Sequence, residues 1–154
     1  MEYLWIKLLH ILSSTLLFGT GIGSAFYLLC VVLRRDPAVV AQVARIVVLA
    51  DWLFTATTAV IQPLTGWYLA RLMQLPLSTP WLAWSLALYA VAIACWLPVV
   101  RLQMLMRDEA LASAHAGQAL SAAFMRYFRL WFVLGFPALG AFVAIFWLMV
   151  FKPA

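Results

Sequence analysis

The chain has 154 residues, of which 68% are hydrophobic and 10% charged, and its mean hydropathy is +1.04. Too few polar residues are present to cover a water-soluble surface, so a bilayer has to be part of the solvent. The net charge of +5 does not indicate nucleic acid, because the basic residues fall in short loops and at helix ends rather than on one soluble face.

A spanning helix takes about 20 apolar residues, so a chain of this length holds four with brief connections and no further globular domain. The expected fold is therefore an all-α integral membrane protein, one domain of four transmembrane helices in an up-down bundle. The first helix is expected over residues 3–33. Its apolar run is too long for the core of a cleaved signal peptide, and Leu29 is large where a lipoprotein cleavage site before Cys30 needs a small residue. Charge and proline at Arg34-Arg35-Asp36-Pro37 end it.

The second helix is expected over residues 42–71, followed by a polar, proline-bounded turn at 74–80, and the third over 81–106. Residues 107–125, rich in Ala, Ser and charge, are expected to be a cytoplasmic loop or surface helix leading into the fourth helix at 127–151. Pro63, Pro98 and Pro137 fall inside helices. Each frees a carbonyl one turn earlier, which protein or water has to satisfy. Cys30 and Cys95 sit in apolar runs without metal-ligand spacing and read as packing residues.

Basic residues set the orientation. Arg34, Arg35, Arg45, Arg101, Arg107, Arg126 and Arg129 lie at the first and third connections, against Lys7, Arg71 and Lys152 at the other end. This asymmetry places the first and third connections in the cytoplasm and both termini on the non-cytoplasmic side, in a bacterial inner membrane. Trp5, Trp67, Tyr68, Trp81, Trp84 and Trp147 crowd toward the end with the termini, where amphipathic rings favour the interface.

Polar groups within spanning helices are costly, which makes their pattern informative. Asp51, Thr55, Thr58, Gln62 and Thr65 recur along one face of the second helix, and His10, Ser14, Gly21 and Ser24 along one face of the first. Since the two helices are antiparallel, the stripes can meet, with His10 and Gln62 at similar depth. Asp51 lies nearer the other end, level with Arg45, Arg101 and Arg129. It reads either as half of a structural ion pair or as a proton-relay carboxylate of a small proton-coupled transporter.

His10 is the only histidine within a span, because His115 lies at the opposite end. It reads as a hydrogen-bonded packing residue, a proton carrier, or an axial ligand to haem iron, with Ser14, Gly21 and Gln62 nearby as further cofactor contacts. A haem held by two histidines of one chain is excluded. Gly19-Thr20-Gly21-Ile22-Gly23 has no preceding strand and is not a dinucleotide fingerprint. The Gly19/Gly23 spacing instead suits close approach of another helix, whether in a homo-oligomer or as a non-catalytic partner subunit of a membrane complex. No catalytic triad, P-loop, HExxH or metal-cysteine cluster is present.

Four stretches carry a family resemblance: Leu4 to Ser14, Ala50-Asp51-Trp52-Leu53-Phe54 with Gln62-Pro63-Leu64-Thr65-Gly66, Cys95 to Val100, and Trp147 to Pro153. Together they resemble the bacterial predicted integral membrane proteins grouped as DUF 2269, over essentially the whole chain, which implies fold and location. More distantly, Lys7 and His10, with Tyr127-Phe128-Arg129 and the closing Lys152-Pro153, are similar to the HemJ-type protoporphyrinogen oxidases. That likeness implies haem b at His10. The third-helix lysine of that family falls at Ser85 here, so the likeness implies porphyrin binding rather than oxidase activity.

Overall fold

The apolar runs fold as four helices long enough to cross a membrane: α1 Glu2–Arg34, α2 Pro37–Leu72, α3 Pro80–His115 and α4 Ala122–Phe151. The structure is a computed structural model that describes residues 1–153 and contains no strand among them. Short connections make successive helices antiparallel. The α1–α2 and α3–α4 turns therefore share one end, rich in arginine, and the termini share the other.

Two boundaries differ from the sequence expectation. α2 begins at Pro37 rather than near residue 42, because the Asp36 carboxylate accepts from the backbone N–H groups of Ala38 (2.9 Å) and Val39 (3.3 Å) and Pro37 suits a first helical turn. The segment 107–125 is not a loop or separate surface helix. Its Ala-rich stretch continues α3 to His115, and after a turn through Gly117 (φ 63°) α4 begins at Ala122. Ser121 fixes that start by accepting from Phe124 N at 3.0 Å and donating to Glu109 at 2.6 Å.

Large side chains lie mostly on the outside. Leu4, Ile11, Val60, Val133 and Val150 are exposed, as are Trp5, Trp67, Trp84 and Trp147 near the end with the termini, a distribution suited to lipid and its interface. A closely packed cluster lies at the arginine-rich end, formed by Leu28, Val32, Val40, Ala44, Met106, Ala110, Phe124 and Trp131, while Ala70, Leu82, Ala141 and Leu148 are buried toward the other end. Toward the termini the packing is polar between α1 and α2 and open between these two helices and the α3–α4 pair.

α2 is not a uniform α-helix. Residues Asp51–Thr55 form a π-helical turn in which Ala56 N–H donates to Asp51 O, five residues back. Such turns interrupt α-helices mostly as single insertions and are frequent at functional sites. Here the turn carries the only carboxyl group within the apolar part of any helix.

Candidate functional site

The stripes on α1 and α2 do meet. His10 Nδ1 lies 2.8 Å from Thr65 Oγ1, and His10 Nε2 lies 3.2 Å from Gln62 Nε2. An amide nitrogen only donates, so Nε2 accepts and Nδ1–H donates to Thr65. Thr65 passes its own hydroxyl proton to Ile61 O at 2.8 Å. Ser13 completes the cluster by donating to Gln62 Oε1, and its hydroxyl also lies 3.0 Å from His10 O. The imidazole sits against Gly66, where an added Cβ would come within 3.2 Å of His10 Cε1. Glycine is thus what lets the ring approach the α2 backbone.

Ser13, not Ser14, is the serine of α1 that reaches α2. Ser14 turns back onto its own helix and donates to Ile11 O at 2.8 Å, while Ser24 likewise donates to Gly21 O at 3.2 Å. Thr58 is buried and donates to Phe54 O within α2, so it joins neither polar cluster directly.

Farther toward the arginine-rich end, on the order of 16 Å along α2 from Gln62 at about 1.5 Å per residue, lies the second cluster. Asp51 is 3% exposed. Thr55 Oγ1 donates to its Oδ1 at 2.8 Å, and Trp96 Nε1 from α3 donates to its Oδ2 at 3.3 Å. The Gln103 side chain, two turns on from Trp96 along the same face of α3, approaches the same carboxyl.

The expected ion pair is not formed. Arg45, Arg101 and Arg129 are exposed, Arg129 donates to Met125 O at 3.4 Å, and the sole ion pair among the described residues is Arg107–Asp108. The physical reason is that these long side chains reach outward to the interface, where an arginine keeps its hydration, instead of entering the bundle. The carboxyl is held by neutral donors alone.

Asp51, Thr55, Trp96 and Gln103 stand at one end of a cavity of about 260 Å³ that all four helices line. Apart from Ser24 its remaining walls are apolar, including Phe18, Trp131, Phe132, Phe136 and Phe142, with Gly21 and Gly135 giving it room. The edge-on contacts of Phe18 with Phe142 and Phe146, at ring separations of 6.2 and 5.2 Å, bridge α1 and α4 beside it. Gln103 is 4% exposed, and its Oε1 has no hydrogen-bond partner among the described residues.

The residues expected to hold haem b do not converge on one cradle. Both nitrogens of His10 are engaged by α2 side chains, and the ring face is backed by Gly66. Gln62 is spent on that bond, Ser14 on its own helix, and Gly21 belongs to the cavity about 16 Å farther along α1. Ligation of haem iron would require His10 to give up a hydrogen bond it makes here. A Cβ added at Gly19 or Gly23 would meet nothing within 4 Å, so no helix of this chain packs against the glycine pair.

Four apolar helices with polar groups turned inward and large apolar side chains turned outward define an integral membrane protein. The chain belongs to the predicted integral membrane proteins of DUF2269, whose family model matches residues 4–153. No curated protein and no solved structure matches it.

Proposed function

We propose that the protein is a small membrane carrier that takes a lipophilic small molecule into the cavity between its helices, with Asp51 as the polar group that engages it. One observation carries this reading: a carboxyl group without a cationic partner stands at the wall of an apolar cavity inside the membrane-spanning bundle. Ionisable residues in such positions are costly, and they characteristically mark substrate or proton pathways. A cavity with apolar walls and a few convergent polar groups is also the usual form of a small-molecule site.

The positive-inside asymmetry supports placing the arginine-rich end in the cytoplasm and the termini outside, in the inner membrane of a bacterium. The π-helical turn at Asp51–Thr55 supports a working rather than merely structural role for this stretch of α2.

The test is binding of an environment-sensitive lipophilic dye to protein in lipid nanodiscs, followed with Gly21→Phe. Gly21 lines the cavity, and a Cβ there meets nothing within 4 Å, so a large side chain at this position is expected to take up cavity space. Dye that binds the wild type and is excluded by Gly21→Phe is the expected result. Equal binding by both proteins would remove the cavity from consideration.

A further inference from the structure

Resting on the carrier reading above, we propose that the cavity's ligand is a lipophilic organic cation: an ammonium group carried on an aromatic or aliphatic body, with the nitrogen beside the Asp51 carboxylate.

The polar end of the cavity centres on the Asp51 carboxyl, the one acidic group among the lining residues. The Thr55 hydroxyl and the Trp96 indole N–H are already directed at Asp51. Gln103 adds a carbonyl oxygen that nothing in the described protein satisfies, although the side chain is 4% exposed. Leaving such a group unmatched in an apolar interior is unfavourable, and native structures rarely do so without cause. A ligand whose head is an anion, such as a carboxylate or phosphate, meets a like charge at Asp51. A ligand head that offers donors matches the Asp51 carboxyl instead.

Charge narrows the choice among donors. Among the described residues lining the cavity there is no Lys, Arg or His, so the carboxylate has no counter-ion of its own. An isolated buried charge is far less stable than a paired one, and a cationic ligand supplies the missing partner. The walls suit the same ligand, because Trp96, Trp131 and Phe132 line the cavity and aromatic rings attract ammonium groups. At about 260 Å³ the space exceeds the roughly 150 Å³ that accepts a single benzene ring, which leaves room for a body larger than one ring.

The experiment compares probes with one body and two heads, 2-naphthylethylammonium and 2-naphthylethanol, titrated calorimetrically into protein in nanodiscs against empty nanodiscs. The ammonium probe is expected to bind the wild type about tenfold more tightly than the alcohol. Asp51→Asn should erase that preference. Asp51→Glu, which keeps the carboxylate, should retain the preference, separating a charge contact from a folding defect.

Equal affinity of the two probes for the wild type, or a preference that persists in Asp51→Asn, overturns the assignment of a cation while leaving the cavity as a lipophile site. If neither probe binds, or if Gly21→Phe binds both as well as the wild type does, the carrier reading fails and this assignment falls with it.

Discussion

The hydroxyl of Tyr89 on α3 donates to the carbonyl of Ala59 on α2 at 2.5 Å. Ala59 lies one turn before Pro63, whose ring has no N–H to give that carbonyl its helical partner. The proline is therefore matched by a tyrosine from the neighbouring helix. Tyr89→Phe is expected to destabilise the protein by about 1 kcal/mol, within the range measured for bonds between membrane helices. In a Pro63→Ala background, where the N–H is restored, the same change should cost almost nothing. Unfolding in mixed micelles measures both, and additive effects would contradict the pairing.

The imidazole of His10 should behave as a structural hinge pin between α1 and α2. Gly66→Ala places a methyl group 3.2 Å from Cε1, so the ring has to shift and its bonds to Gln62 and Thr65 lengthen. The expected cost is about 1 kcal/mol, largely absent in a His10→Ala background where the space is free.

Protein purified from haem-replete cells should show no Soret band that depends on His10, because both ring nitrogens are engaged. A band that vanishes in His10→Ala would mean that the ring breaks one of these bonds to reach iron. That result would support the porphyrin reading drawn from Lys7 and His10.

Arg45→Gln, Arg101→Gln and Arg129→Gln should each change stability by no more than about 0.5 kcal/mol, as for surface substitutions generally. Breaking a buried ion pair with Asp51 would instead cost about 3–5 kcal/mol. Thermal unfolding distinguishes these outcomes readily.

Single cysteines introduced at Gln118 and Gln74, after replacing Cys30 and Cys95 by serine, should label from opposite sides of intact cells. Gln74 is expected to react with an impermeant reagent and Gln118 only after permeabilisation. The reverse pattern would invert the orientation inferred from arginine.

The spans were legible because lipid demands long apolar runs, and four such runs leave little else in this chain. The stripe meeting was legible too, since Gln62 and Thr65 share a face and antiparallel helices bring His10 level with them. The choice between Ser13 and Ser14 was not: a period of 3.6 residues places i+3 and i+4 almost equally on one face. Asp51's partners were harder to foresee. Trp96 and Gln103, seven residues apart on α3, carry a recognisable face-sharing signal, but their convergence depends on how α3 packs against α2. The π-helical turn leaves no composition mark, because Asp51-Trp52-Leu53-Phe54-Thr55 contains neither proline nor glycine.

α3 continues unbroken from Trp96 past Gln103 to His115, so a helical rod connects the carboxyl's neighbours to the 116–121 turn. From His115 back to Gln103 is about 18 Å at about 1.5 Å per residue. Met106 and Ala110 seat this stretch in the buried cluster on the way. A spectroscopic label in the 116–121 turn would therefore report on movement of the helix that carries Gln103 without occupying the cavity.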